Sequence, residues 1–414
     1  MSGGITVAYS GVHQAYQLAL AAHELGVLDL FLCSVYAAPG KWGGWLEKFV
    51  PEGTLFSRHA EGLDPGKIRE FPWPLVWQRV RSRLLPGSSN DWLLANDWFD
   101  RHAAKALEGA GTSVCVGAET CALHSLAAAK RLGMKTVLDC PGVDSEFLNE
   151  IAAKAAGQFG LRTVSQADPA AMGRRKDEEL KLADAVLVCS AFQAETMQRR
   201  KIPPEQLVIA PLWVDGGFWH PDVDAIRSNG DRRLRVLFAG KINVRKGVPY
   251  LLEAARSCAQ QLRVTLVGRV DADVAPLIGQ RPPNVSVLAP RPKRDLRDLY
   301  RQHDLLVLPS LGDSFGFVAL EAMACGLPVI VTENCGVPVP DESWRVPVMD
   351  ADAIAERLLL YARDRELCRE HGRVAAEFAR QYTPERYREQ IKDLYRRLLG
   401  ETAPAAVSPL RPDA

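Results

Sequence analysis

Residues 305–328 read LLVLPSLGDSFGFVALEAMACGLP, and this stretch indicates the fold more clearly than any other in the chain. Its apolar run at 305–308 is typical of a buried strand, and a loop of small and polar residues precedes a helix predicted to begin near Phe315. Such a strand–loop–helix junction leaves backbone N–H groups free above the strand end, where they favour a phosphate or another anion. Gly316 is expected to let a ligand approach the backbone closely, because glycine has no side chain.

Two acidic residues lie in this stretch. Asp313, just before the predicted helix, is either an N-cap or an acid that contacts a ligand. Glu321 lies inside the helix among small and apolar residues, which favours burial over a solvated helix position. A buried carboxylate is costly unless something hydrogen bonds to it, and ribose hydroxyls would supply such bonds.

Similar short apolar runs alternate with helical patterns along most of the chain. They are rich in Val and Leu and do not alternate with polar residues, which is typical of parallel strands buried on both faces and separated by helices. The sequence therefore predicts an α/β protein with doubly wound sheets. The predicted strands are 5–9, 30–35, 113–116, 136–138, 185–188, 207–209, 235–238, 264–267, 285–288, 305–308 and 329–331.

The series of strands breaks at residues 213–233, where glycines, a proline and charged residues indicate a linker. This break predicts an N-terminal Rossmann-like domain at 1–213 and a C-terminal one at 214–384. The last residues, 401–414, are rich in Pro and Ala and are expected to form a disordered tail.

Composition excludes several classes of protein. Lys and Arg number 51 and Asp and Glu 50, a balance that argues against a general nucleic-acid binder. No window approaches the ~18 uninterrupted apolar residues of a membrane span, and no secretory signal is evident. The nine cysteines include no CxxC pair, which argues against a zinc site or a disulfide framework and favours free thiols in a reducing cytosol.

The spacing around the two acids resembles the signature of the retaining glycosyltransferases of family 4. The signature consists of one acidic residue, seven intervening residues and a second acidic residue. Phe-Gly occurs shortly after the first acid, and the second acid is the Glu of Glu-Ala-Met-Ala. The resemblance implies that the first acid, here Asp313 where the family usually has Glu, contacts the donor sugar. It implies that Glu321 contacts the nucleotide ribose. Further donor contacts are expected from Ser314, Phe315, Gly316 and Phe317.

The same resemblance implies the GT-B architecture. In that fold two Rossmann-like domains face a cleft, with the nucleotide-sugar on the C-terminal domain and the acceptor on the N-terminal one. A C-terminal helix, expected here at 385–400, crosses back to the first domain.

A second segment, FAGKINVRKGVPY at 238–250, agrees with this resemblance. In the family, the first strand of the C-terminal domain ends in Gly-Arg, and a Lys-Gly follows five residues beyond the Arg. Lys241 takes the Arg position here, and Lys246 matches the Lys. The resemblance implies that both cations neutralise the donor diphosphate, including the charge that grows as the glycosidic bond breaks. Taken alone, the segment leaves a solvated turn open as the alternative.

Candidates in the N-terminal half are fewer. The resemblance implies that Gly11, in the loop after the first strand, lies near the donor, and that His13 is either an acceptor contact or a helix-start residue. Asp144 stands where many relatives have a His beside the donor sugar. It is either a catalytic or acceptor-binding acid or the start of a helix. Glu119 and His124, which flank another strand end, are further cleft candidates.

An insertion at 39–99 contains six of the nine tryptophans, together with Arg79, Arg81 and Arg83. Aromatic faces suit sugar stacking, and Trp with Arg also suits a membrane interface. The alternative is that these tryptophans pack a structural insertion.

The predicted function is hexosyl transfer from a UDP- or GDP-sugar to a glycan, lipid-linked or small-molecule acceptor, in bacterial polysaccharide or glycoconjugate biosynthesis. The expected location is the cytoplasm, with peripheral contact to the inner face of the membrane. No cofactor other than the donor is expected, and no metal ion, because no Asp-x-Asp pair lies at a candidate strand end. The pairs Asp271/Asp273 and Asp350/Asp352 suit loop or helix-cap roles.

Two alternatives to transfer stay open. One is a nucleotide-sugar epimerase of the same fold, which would release no free nucleotide. The other is a catalytically inactive nucleotide-sugar-binding protein, in which the change to Asp313 has removed turnover.

Overall fold

The computed structural model describes residues 3–12, 14–46, 58–85, 91–162, 169–222 and 233–400. Two parallel β-sheets form its core, one of seven strands and one of six. The first contains β1 Gly4–Tyr9, β2 Leu28–Cys33, β3 Ile68–Glu70, β4 Thr112–Ala118, β5 Lys135–Asp139, β6 Ala185–Val188 and β7 Leu207–Ile209. The second contains β8 Leu234–Ala239, β9 Leu262–Val267, β10 Val285–Leu288, β11 Leu305–Leu308, β12 Val329–Thr332 and β13 Arg345–Val346.

Helices connect these strands. Those of the first half are α1 Ala15–Glu24, α2 Trp42–Leu46, α3 Trp73–Leu84, α4 Asp91–Leu107, α5 Leu123–Arg131, α6 Ser145–Gln158, α7 Pro169–Leu182 and α8 Ala191–Gln198. Those of the second half are α9 Val248–Ser257, α10 Ala275–Gly279, α11 Lys293–Gln302, α12 Phe317–Ala324, α13 Ala351–Arg363, α14 Arg365–Ala379 and α15 Pro384–Leu398. No helix of the described residues is long and apolar enough to cross a membrane.

Both sheets have the doubly wound order that the sequence predicts. The strands run β3-β2-β1-β4-β5-β6-β7 in the first sheet and β10-β9-β8-β11-β12-β13 in the second. The direction of winding therefore reverses between β1 and β4 and again between β8 and β11. At such a switch point the loops after the two strands diverge and leave a crevice, where ligands of doubly wound proteins bind.

The predicted strands are all present, several with identical bounds, because their Val and Leu side chains are buried on both faces. The side chains of β11, for example, are all buried. Two strands were not predicted, β3 and β13. Each is short, carries charged residues and lies at a sheet edge, where a strand needs little apolar sequence.

The C-terminal helix α15 packs against α1 of the first half, as the GT-B architecture requires. Arg388 Nε and Lys392 Nζ both lie 2.8 Å from the carboxylate of Glu24. The buried Tyr395 hydroxyl donates to the backbone oxygen of Leu18 at 3.1 Å. All nine cysteines are buried free thiols. The expected tail at 401–414 lies outside the described residues.

Candidate functional site

The crevice of the second sheet lies between the loops that follow β8 and β11. Lys246 comes from the first loop and Asp313 from the second, and the Lys246 ammonium donates to Asp313 Oδ2. The other oxygen, Asp313 Oδ1, accepts the backbone N–H of Gly316 at 3.1 Å. Asp313 therefore stabilises the turn that leads into α12 and faces a cation, while its contact with a donor sugar stays a prediction.

Backbone geometry fixes the position of Lys246. The Asn243 side chain accepts the N–H of Lys246 at 3.0 Å and donates to Asp271 at 2.9 Å. Gly247 has a φ of +68°, and a Cβ there would lie 1.7 Å from the backbone oxygen of Pro309. Only glycine fits this approach, so Lys246 and Gly247 together bring the β8 loop against the β11 loop.

Gly316 is required for a different reason from the one the sequence suggested. Its φ is +79°, and a Cβ would lie 2.7 Å from the sulfur of the buried Cys335. Close packing inside the C-terminal half therefore accounts for this glycine without a ligand. Next to it, the Phe315 side chain is buried, and Phe317 packs edge-on against it while remaining partly exposed. Only the backbone of Phe315 is available to a donor.

Lys246 keeps its charge in this half-buried position. Burial by itself lowers the pKa of Lys246, but the charge of Asp313 and the hydrogen bond to it outweigh burial, and the pKa is raised. The side chains of Lys246 and Asp313 are 29% and 14% exposed, so the pair is reachable from the crevice. Lys241, at the end of β8, is exposed.

Glu321 lies on α12; the sequence predicted a buried acid, and in the structure its side chain is partly exposed. The hydroxyl of the buried Tyr300 donates to Glu321 Oε2 at 3.2 Å. Burial raises the pKa of Glu321 to about 7, although the Tyr300 hydrogen bond and the charge of Lys293 act in the opposite direction. A carboxyl group in this state gains from further hydrogen-bond donors, because each one stabilises the charged form.

Both side-chain oxygens of Asp144 are bound by other groups of the protein. Its Oδ1 accepts the N–H of Phe147 at 2.8 Å and so caps α6, while Oδ2 lies 2.6 Å from Arg200 Nε. The side chain is buried. Because the Asp144 side chain is only 4% exposed, against 14% for Asp313, and both of its oxygens are engaged, the geometry favours the helix-start alternative over the predicted catalytic and acceptor-binding role.

The first switch point brings together the loops after β1 and β4. Gly11 lies there, where a Cβ would meet the ring of Tyr9 at 2.5 Å. Glu119 is paired with Lys176 at 2.9 Å, and His124 Nε2 lies 2.8 Å from Asp97. His13 lies outside the described residues.

Sequence reasoning did not single out Asp139, the last residue of β5. It is buried, and burial with the nearby charge of Glu119 raises its pKa to about 7. Its place at the carboxyl end of a parallel strand was the available signal, because that end of the sheet carries the ligand-binding loops.

Contacts between the two halves surround the candidate site. Ser314 Oγ donates to the backbone oxygen of Pro141 at 2.7 Å, and Ser190 Oγ donates to the backbone oxygen of Ser314 at 2.6 Å. Arg245 donates to the side chain of Asn149 at 2.5 Å. Open cavities of about 810 and 640 Å³ lie between the halves near these contacts, and neither is lined by Asp313 or Glu321.

Three of the four carboxylates in the two Asp-x-Asp pairs have at least one oxygen bonded to the protein. Asp271 binds Asn243 and Arg269, Asp273 accepts the N–H of Val244 at 3.3 Å, and Asp350 caps α13. Within the described ranges, no cluster of three or more His, Cys, Asp or Glu side chains is arranged to hold a metal ion. Metal-independent transfer stays a prediction.

Comparison with known families identifies the C-terminal half. Residues 233–364 match the family model described as glycosyl transferases group 1. A D-inositol 3-phosphate glycosyltransferase from Paenarthrobacter aurescens (strain TC1) is 28% identical over 263 residues, which are 53% of this chain and 62% of that protein. A protein of the same name from Corynebacterium kroppenstedtii is 35% identical over 158 residues, 33% of this chain and 35% of that one. The chain thus spans about three fifths or less of the length of these relatives.

Solved structures match the whole fold. Sucrose-phosphate synthase from Thermosynechococcus elongatus has a TM-score of 0.63 at 20% identity, covering 96% of this chain and 99% of that one. Anabaena HepE in complex with UDP has a TM-score of 0.61 at 15% identity, covering 95% and 99%. The chain therefore has the GT-B fold that the resemblance implied.

Proposed function

We propose that this chain is a retaining glycosyltransferase that moves a sugar from a nucleoside-diphosphate-sugar to an acceptor hydroxyl. The observation that carries the proposal is the Lys246–Asp313 pair at the second switch point, with the partly buried Glu321 on the helix that follows. A cation, an acid and a second, partly buried acid in this order suit a diphosphate, a sugar and a ribose. Relatives named as glycosyltransferases support the same reaction class.

Lys246 would hold the donor diphosphate. Its ammonium is fixed at the crevice by Asp313 and by the backbone of its own loop, so it needs little rearrangement as negative charge grows on the leaving diphosphate. Lys241, exposed at the end of β8, would provide a second cation. The first N–H groups of α12 have no partner within the helix and would face the same charge.

Asp313 would accept a hydroxyl of the donor sugar while holding Lys246. It is one methylene shorter than the Glu usual in the family, so the sugar must approach the loop more closely. Glu321 would accept ribose hydroxyls in addition to the Tyr300 hydroxyl. Because these donors stabilise the carboxylate, donor binding should lower the pKa of Glu321 and release a proton near neutral pH.

We assign no side chain as general base. In retaining transfer of this type, the departing diphosphate oxygen can accept the acceptor proton on the face where the acceptor attacks. The proposed acceptor class is a glycan, a lipid-linked sugar or a small-molecule hydroxyl.

The test has two stages. The melting temperature is first measured with UDP-, GDP- and ADP-sugars, because a ligand that binds the folded state raises stability by RT ln(1 + [L]/Kd). The donor that shifts it is then incubated with candidate acceptors, and free nucleotide and the anomeric configuration of the product are measured. Free nucleotide with a retained anomer is expected. Binding without release of nucleotide would indicate an inactive binder, and a converted sugar that stays on its nucleotide would indicate an epimerase.

A further inference from the structure

An apolar face lies on the surface of the N-terminal half, away from the proposed donor site. It lines an open groove of about 520 Å³ between α3 and α4. We call it the apolar face, and its residues are Trp73, Val76, Trp77, Val80, Leu84 and Trp98. The two flanking segments 47–57 and 86–90 lie outside the described residues.

Helix α3 presents its apolar stripe to solvent instead of to the core. The five α3 residues of the face occur at spacings of three and four, which places them on one side of the helix. Trp73, Val80 and Leu84 are 51%, 51% and 73% exposed. In a helix that only supported the fold, this stripe would be buried, so the alternative that these tryptophans pack a structural insertion does not account for α3.

Arginines border the stripe on both sides. On one side, Arg81 lies over the Trp77 ring, 5.4 Å from its centroid, and pairs with Asp91 at 2.8 Å. On the other side, Arg79 and Arg83 are exposed, and within the described residues neither has an acidic partner. An apolar stripe between cationic borders is the pattern of a helix that lies in a membrane interface with anionic lipids.

Helix α2 adds an aromatic rim beside the stripe. Trp42 contacts Trp45 and Trp73 edge-on, with ring centroids 6.0 and 5.6 Å apart, and Trp42 and Trp45 are 43% and 53% exposed. The carboxylate of Glu70 accepts the N–H of Trp42 at 2.7 Å and so fixes α2 at the end of β3. Tryptophan favours the level of lipid headgroups, because its ring is apolar and its N–H is polar.

The apolar face is also close to the first switch point. Asn96, two residues before Trp98 on α4, accepts a hydrogen bond from Ser10 in the loop after β1, at 2.8 Å. A surface that binds at α3 and α4 therefore lies next to the N-terminal crevice.

We propose that the apolar face and its arginine borders dock the protein on the surface of a bilayer that contains anionic lipids. The charge of Arg79 and Arg83 selects this occupant over a neutral apolar partner. The docking goes beyond the proposed function and does not depend on it, because it is measured without donor or acceptor.

The experiment is co-sedimentation of the full chain with vesicles of phosphatidylcholine, with and without phosphatidylglycerol. The wild type should bind the anionic vesicles more tightly than the neutral ones, and added salt should weaken binding. Val80→Asp should reduce binding to anionic vesicles at least about tenfold, because it places a charge in the apolar stripe. Arg79→Glu with Arg83→Glu should produce a similar loss on anionic vesicles and little change on neutral ones.

Matched controls separate docking from general changes. Val374→Asp alters a valine of α14 with similar exposure, 45%, and Arg131→Glu with Arg363→Glu makes the same change in net charge on other helices. Both should bind vesicles like the wild type, and melting temperatures should show that all variants fold. The proposal is overturned if the wild type does not bind anionic vesicles, or if Val80→Asp and Val374→Asp bind alike. It is also overturned if light scattering shows a dimer that Val80→Asp dissociates, since a second copy would then cover the face.

Discussion

The first six strands of the first sheet and the six of the second are arranged in the same order, and in each sheet the crevice lies between the loops after the first and fourth strands along the chain. Beside the C-terminal crevice, Lys246 and Asp313 are paired with each other, and Glu321 accepts one hydroxyl. Beside the N-terminal crevice, Asp100 accepts two backbone N–H groups, the Ser125 hydroxyl and Arg175.

Glu179 makes the contrast sharper. It is fully buried and accepts the N–H groups of Thr120 and Ala122 at 2.6 and 3.0 Å. Thr120 has a φ of +70°, a strained value for a residue other than glycine, and Glu179 holds it there. Strand order thus places a crevice in each half, but the number of protein donors around each acid separates structural acids from acids that can still bind a ligand.

The largest effect expected is on stability in the N-terminal half. Asp100→Ala would leave Arg175 and buried N–H groups without their acceptor, which costs about 3–5 kcal/mol and lowers the melting temperature by roughly 6–20 °C. Asp313→Ala should cost only about 1 kcal/mol, because its partners can reach water. If thermal melts show that Asp100→Ala and Asp313→Ala lose equal stability, the contrast between the acids of the two crevices is contradicted.

The next effect concerns turnover. Lys246→Met should lower kcat about 10²–10³-fold, because it removes the fixed cation that faces the leaving diphosphate. Lys176→Met, which removes the partner of Glu119 in the other half, should lower the melting temperature and leave kcat within roughly tenfold. Steady-state kinetics on both variants test this, and a larger kcat loss for Lys176→Met would reverse the assignment of the two crevices.

The two acids of the C-terminal half should separate binding from turnover. Glu321→Gln removes charge-assisted hydrogen bonds to ribose, each worth ~1.5–3 kcal/mol, so nucleotide affinity should fall about 10- to 150-fold. Asp313→Asn should reduce turnover more than affinity for free UDP or GDP, because sugar contacts strengthen as the bond breaks. Calorimetric titration with nucleotide and nucleotide-sugar gives both values. A normally melting Glu321→Gln variant that binds nucleotide like the wild type would refute the ribose role.

The smallest effect is a pH dependence without ligand. The pKa of Glu321 is raised to about 7, so the folded state holds this proton more tightly than the unfolded state does, and wild-type stability falls as the pH rises from about 4.5 to about 7. Gln does not titrate, so Glu321→Gln should gain over the wild type across this window. The full shift corresponds to about 3 kcal/mol, and solvent screening of the partly exposed side chain reduces this to on the order of 1–2 kcal/mol. Melting curves at about pH 5 and about pH 8 measure the gain. If the difference in stability between Glu321→Gln and the wild type is the same at both pH values, the folded state does not raise the pKa of Glu321.

Sequence alone predicted the fold well and placed Lys246 and Asp313 in neighbouring loops, because both results depend on local patterns, while the roles of these residues toward a donor stay predictions. Buried parallel strands are short apolar runs, and the loops that contain Lys246 and Asp313 follow two of them directly. The partner of Asp313 and the reason for Gly316 were not predictable, since they depend on Lys246 and Cys335, which lie far along the chain or on another strand end.

The N-terminal half was predicted less well for the same physical reason. Asp144 resembles a site residue by position, but one of its oxygens is held by Arg200 on the turn after α8, 56 residues along the chain. Nor does the sequence indicate which way the apolar stripe of α3 faces. A periodic stripe of Trp and Val is the same whether it meets the core or the solvent.

The return of α15 onto α1 has a consequence for synthesis on the ribosome. Helix α1 belongs to the first strand–helix unit, but the Arg388 and Lys392 side chains that neutralise Glu24 are made only after the entire second sheet. Domains of large proteins generally fold as units in the order in which they emerge. Here the first half emerges early but keeps part of α1 uncovered until residues 384–398 have followed, so packing of α1 waits for α15.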